Sequence, residues 1–70
     1  MFISKHLVKI GDRVQLTMDI NVPLGTFTKG HFFKVLDIVG GELHPLGYDL
    51  LDDDGREARD VLANYFRVVS

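Results

Sequence analysis

Polar and apolar residues alternate without a break in Arg13-Val14-Gln15-Leu16-Thr17-Met18. This is the period-2 pattern of a half-buried strand, and it points Val14, Leu16 and Met18 inward. Ile10-Gly11-Asp12 just before it predicts a turn or bulge, with Val8 and Ile10 as a short lead-in. Residues 31–39 (His-Phe-Phe-Lys-Val-Leu-Asp-Ile-Val) are rich in β-branched and aromatic side chains, as strands are. Strict alternation puts Phe33 and Val35 on one face and Phe32, Lys34, Leu36 and Ile38 on the other. Between these two strands, residues 19–30 contain Pro23, Gly25 and Gly30 and read as a long excursion loop.

Gly40-Gly41 ends the second strand, and Pro45 makes residues 42–46 a loop. An extended run resumes at Tyr48 and reaches Asp52. Asp53-Asp54-Gly55 then predicts a tight two-residue hairpin turn, with residues 56–61 returning as a strand. A helix over residues 56–65 competes with that strand, because Glu57, Ala58, Arg59 and Leu62 are good helix formers and Asp52 to Asp54 offer a cap.

The order of these pieces resembles an SH3 domain from about residue 13 to residue 69. Phe27-Thr28-Lys29-Gly30 followed by Phe33-Lys34-Val35-Leu36 is similar to the family's diverging turn and second strand, with His31 standing where an acidic residue is usual. Residues 61–69 (Val-Leu-Ala-Asn-Tyr-Phe-Arg-Val-Val) are similar to its closing segment, a short 3₁₀ turn before the last strand. Asn64 and Tyr65 match that segment, and Leu62 replaces its proline. Val8-Lys9-Ile10-Gly11-Asp12-Arg13-Val14 is also similar to the start of KOW-type bacterial barrels. The resemblance implies an all-β fold, a small five-stranded SH3-like barrel with a 3₁₀ turn before its last strand. It favours the strand over the helix for residues 56–61.

A chain of 70 residues with 46% hydrophobic content forms one domain, residues 1–70, with 1–7 expected as a loosely ordered N-terminal segment. The chain has no cysteine, so disulfides, thiolate metal sites and cysteine nucleophiles are excluded; this fits a reducing compartment and equally a bare secreted domain, with the cytoplasm as the default. The N-terminal apolar stretch is too interrupted for a signal peptide, and no run approaches the roughly 18 apolar residues of a membrane span.

Net charge is −2, unevenly spread: residues 1–41 carry five basic and three acidic side chains, residues 42–70 three and seven. That balance argues against tight, phosphate-driven nucleic-acid binding. His6, His31 and His44 are spaced by 25 and 13 residues and match no metal pattern. Asp52-Asp53-Asp54-Gly55 looks like the start of a calcium loop, but its twelfth position is Ala63 instead of glutamate. No base and nucleophile form a catalytic motif, so no enzyme and no cofactor are expected.

What remains is a binding module. An outward apolar surface of Phe27, Phe32, Leu36, Ile38 and Leu46, with Tyr65 nearby, is expected to contact a protein partner or a second copy. Proline-rich ligands fit poorly, because that recognition needs an aromatic-walled groove and the chain has no tryptophan. Two alternatives stand beside it. One is a KOW-like nucleic-acid accessory domain using Arg13, Lys29 and Lys34, helped by Lys5 and Lys9. The other is a self-assembling structural subunit of a larger complex, such as a phage particle.

Overall fold

Seven short strands form two antiparallel sheets in the computed structural model, which describes residues 8–23 and 25–69. The N-terminal segment 1–7, with Lys5 and His6, lies outside the described residues. The strands are β1 (Arg13–Leu16), β2 (Ile20–Val22), β3 (Gly25–Phe27), β4 (Phe32–Val39), β5 (Gly47–Leu51), β6 (Glu57–Val61) and β7 (Phe66–Val68). A 3₁₀ turn, Ala63–Tyr65, precedes β7 as expected, and residues 57–61 are strand, not helix. The larger sheet runs β6-β5-β4-β1-β7, and β2 pairs with β3 in the smaller one. The all-β class is as expected. The larger sheet is open, with β6 and β7 at its two edges and no ladder joining them.

One core lies on the inner face. Val14, Leu16, Phe33, Val35 and Leu50 are almost wholly buried, and Ile20, Phe27, Ile38, Tyr48, Ala58, Val61 and Phe66 complete the cluster. The rings of Tyr48 and Phe66 meet edge to face at 5.3 Å, so β5 and β7 touch across the core although they are not hydrogen-bonded neighbours.

Four expectations about local structure change. Residues 19–30 are not a loop: Ile20↔Phe27, Asn21↔Thr26 and Val22↔Gly25 pair as a hairpin, and Thr26 Oγ1 donates to Asn21 Oδ1 at 2.7 Å. Pro23 is compatible with this because it sits in the connection, where no ladder hydrogen bond is needed. The hairpin folds Ile20 and Phe27 into the core. Met18 is exposed, because β1 ends at Leu16 and the chain bends away once the Thr17 N–H donates to the Tyr65 carbonyl.

Ile38 is buried instead of outward. Pairing of β4 with β5 shifts by one residue between Val35 and Asp37, a β-bulge. One extra residue reverses the inward and outward parity of everything that follows. Leu36 and Asp37 are therefore both exposed and Ile38 returns to the core.

The β5–β6 connection has three residues, not two. Leu51 pairs with Glu57, and the Asp52 N–H donates to the Arg56 carbonyl at 2.9 Å, leaving residues 53–55 as the loop. Gly55 alone in this loop has a positive φ, +83°. That is the three-residue geometry with a left-handed residue at its end, which glycine adopts without strain. Gly55→Ala is expected to destabilise the fold by about 1–2 kcal/mol, read as a lower midpoint in urea unfolding. A midpoint equal to that of the parent would show that the turn relaxes into another type.

Candidate binding surface

Two places gather polar or exposed groups that the core does not explain. The first is built around Asp52, at the end of β5, whose side chain is almost fully buried. Its Oδ1 accepts the backbone N–H groups of Arg56 (2.7 Å) and Asp54 (3.0 Å). Its Oδ2 meets His31 Nε2 at 3.0 Å and accepts from Arg56 Nε at 3.1 Å. Burial by itself would raise the Asp52 pKa. The Arg56 N–H, the His31 ring, the Asp54 N–H and the Arg56 guanidinium outweigh burial and hold the carboxyl below its ordinary value of 3.8. The Arg56 guanidinium lies 4.8 Å from the centre of the Phe27 ring, and Phe27, His31 and Phe33 form a triangle of rings 4.9–5.2 Å apart.

Every lone pair of this carboxylate is aimed at a donor of its own turn or of the segment before β4. The cluster therefore ties the β5–β6 turn to the β3–β4 turn, and its role is structural. Beside it, the β2–β3 hairpin and β6 bound a cleft of about 530 Å³ walled by Val22, Pro23, Phe27, Arg56, Glu57 and Arg59. Its two arginines are each held by a carboxylate: Arg56 by Asp52, and Arg59 by Glu57 at 2.9 Å.

The second place is the outward face of β7, β1 and β4. Register sets Arg67, Gln15 and Phe32 side by side across the three strands, and Arg67 Nη2 donates to Gln15 Oε1 at 2.9 Å. One pleat along, Arg13 faces Lys34, and Lys34 faces Leu51 on β5. The Arg13 guanidinium lies over the Phe32 ring, 4.8 Å from its centre, a diagonal contact across the ladder. Up to the bulge, the outward positions of these strands are Arg13, Gln15, Arg67, Phe32, Lys34 and Leu36: three cations, one amide and two large apolar groups. The sheet's acidic side chains begin past the bulge with Asp37, next to Leu36 on β4, and continue at Asp49, Glu57 and Asp60 and in the 52–54 turn. The −2 net charge thus conceals a cationic half-face.

The six residues expected to contact a partner separate. Phe32 (39% exposed) and Leu36 (43%) stand on this face. Leu46 (69%) is exposed in the β4–β5 loop, where its N–H donates to the Val39 carbonyl. Tyr65 is half-buried against the core, its carbonyl holding Thr17. Phe27 and Ile38, only 5% and 6% exposed, belong to the interior, for the reasons of hairpin and bulge given above. Of the three cations set apart for nucleic acid, Arg13 and Lys34 meet as ladder partners. Lys29 sits in the β3–β4 turn, its N–H donating to Asp19 Oδ1 at 2.7 Å. Sequence reasoning missed Arg67 and Gln15, whose place depends on β7 pairing with β1 across more than fifty residues of chain.

No protein-family profile, curated protein or solved structure matches the chain. Among the described residues, no helix is long and apolar enough to cross a membrane, and no group of three or more His, Asp or Glu side chains is placed to hold a metal ion.

Proposed function

We propose that the chain is an SH3-like, non-enzymatic binding module that captures a protein partner on the outward face of β7, β1 and β4. The observation that carries this reading is the placement of Phe32 and Leu36, exposed along β4 before and at its bulge, beside Arg13, Lys34 and Arg67. Apolar groups ringed by charge on a rigid element mark contact surfaces. The SH3-like part is supported by the alternating strand that follows the Lys29-Gly30 turn and by the 3₁₀ turn that carries Asn64 and Tyr65 into the last strand. The cysteine-free chain suits a reducing, cytoplasmic setting.

A nucleic-acid partner is the second reading, favoured by three cations gathered beside an exposed aromatic. Against it, the Arg13 guanidinium already lies over the Phe32 ring, on which a base would need to stack.

Incorporating the photocrosslinker p-benzoylphenylalanine in place of Phe32, and separately in place of Leu43 in the β4–β5 loop, tests the assignment in cell lysate. A protease-sensitive, nuclease-resistant adduct from position 32 and none from position 43 is expected. Nuclease-sensitive adducts would transfer the face to nucleic acid, adducts of the chain with itself would make it an assembly surface, and equal yields at both positions would remove it altogether.

A further inference from the structure

Arg13 already has a carboxylate against it. Its Nη2 lies 3.6 Å from Asp53 Oδ2, in the loop between β5 and β6, with both side chains well exposed. The separation exceeds that of an N–H···O hydrogen bond, about 2.7–3.2 Å. An exposed pair of this kind is held weakly and is easily displaced. The guanidinium meanwhile lies over the Phe32 ring, 4.8 Å from its centre, and a guanidinium is a planar fork that a carboxylate can engage through two hydrogen bonds. Lys34 stands beside it as ladder partner, and Arg67 stands beyond Gln15 on the next strand.

We infer that this face recognises an acidic, partly apolar protein segment, with carboxylates set against Arg13, Lys34 and Arg67 and an apolar side chain against Phe32 and Leu36, and that Asp53 is a built-in competitor for the Arg13 position. The inference rests on the docking reading above and adds the chemistry of the partner. Charge complementarity selects that partner: β1, β4 and β7 offer three cations, and the one acid on these strands, Asp37, lies past the bulge with its Oδ1 accepting the Ile38 N–H at 2.8 Å. Phosphates would satisfy the same cations, but the apolar pair and the covered Phe32 ring suit a peptide better than a base. Asp53 shows in place the kind of group that pairs with this arginine.

The test uses fluorescence anisotropy with the full chain and three labelled probes: a peptide alternating glutamate and leucine, its glutamine counterpart, and oligothymidylate. The glutamate peptide should bind, more weakly as salt rises, and the glutamine peptide should not. Asp53→Asn should tighten the glutamate peptide about two- to fivefold, the range that releasing a weak exposed ion pair allows. Lys34→Glu and Arg67→Glu should each weaken it tenfold or more. All three positions are exposed, so thermal unfolding midpoints should stay near that of the parent.

Equal binding of the two peptides, or an Asp53→Asn variant no tighter than the parent, overturns the inference. Tighter binding of oligothymidylate than of either peptide assigns the cations to phosphate. The crosslink at position 32 separates the two levels of failure. A protein adduct whose yield is indifferent to Lys34→Glu leaves the docking face standing and removes its carboxylate chemistry, whereas loss of the adduct itself removes the face.

Discussion

Phe33→Ala is expected to leave the chain unfolded at room temperature. Phe33 is wholly buried near the start of β4, between Val14 on β1 and the rings of Phe27 (5.0 Å, edge to face) and His31 (4.9 Å). Removing a buried phenylalanine ring costs about 3–5 kcal/mol, the transfer of the lost atoms plus the cavity left behind. A single core of this size holds a domain by about the same amount, roughly 3–5 kcal/mol, and a chain with no cysteine has no disulfide to add to it. The variant should lose amide dispersion in its NMR spectrum and the near-ultraviolet signal of its aromatics. Phe33→Leu, which keeps most of the volume, should remain folded with a lower urea midpoint. An alanine variant with a native-like spectrum would mean that the β2–β3 hairpin collapses into the vacated space.

The second large effect belongs to Asp52. Asp52→Asn keeps the shape, and its remaining amide oxygen can still accept from the turn N–H groups, but the new NH₂ then faces Arg56 Nε–H, donor against donor. Loss of charge-assisted hydrogen bonds in a buried site should destabilise by about 1.5–3 kcal/mol. The effect has a pH signature. The folded-state pKa of Asp52 is lowered, so its contribution is fully present above the unfolded-state value of about 3.9 and is lost as pH falls through the lower folded value. Urea midpoints of the parent should therefore fall as the pH drops below about 4, while the Asp52→Asn variant shows a shallower decline. A variant with the parent's full acid slope would place that slope on other carboxylates.

The strands whose side chains alternate were legible directly: Val14 with Leu16, and Phe33 with Val35, face the core as the pattern requires. What defeated the pattern was any event that shifts parity or depends on distant chain. The bulge after Val35 moved Ile38 inward, and nothing in Val35-Leu36-Asp37-Ile38 announces it, because an apolar residue lies on each side of the slip. The β2–β3 strands are three residues each, too short for a period to emerge from among Pro23, Gly25 and Gly30. Phe27 was therefore read as surface when its ring is core. Asp52 reads in the sequence as the end of an extended run leading into a turn, and its buried pairing is not legible there, since its partner His31 is twenty-one positions away and is delivered by the packing of one turn on another. The binding face was half legible: Phe32, Leu36, Arg13 and Lys34 follow from strand alternation, whereas Arg67 needed the β1–β7 register.

Asp60 has consequences beyond the single molecule. It lies on edge strand β6 at φ +58°, where the β5–β6 register slips, and its N–H is taken by Asp49 Oδ1 at 3.0 Å. Its carboxylate fills the space that a Cβ on Gly47 would need, so the two positions are matched to one another. Fibril growth proceeds by laying strand upon strand along a straight, unsatisfied row of main-chain groups. The kink at Asp60, flanked by Arg59, interrupts that row within a strand of only five residues, and the opposite edge, β7, is three residues long. Each edge of the larger sheet thus offers little straight, unsatisfied strand on which a cross-β stack could be laid.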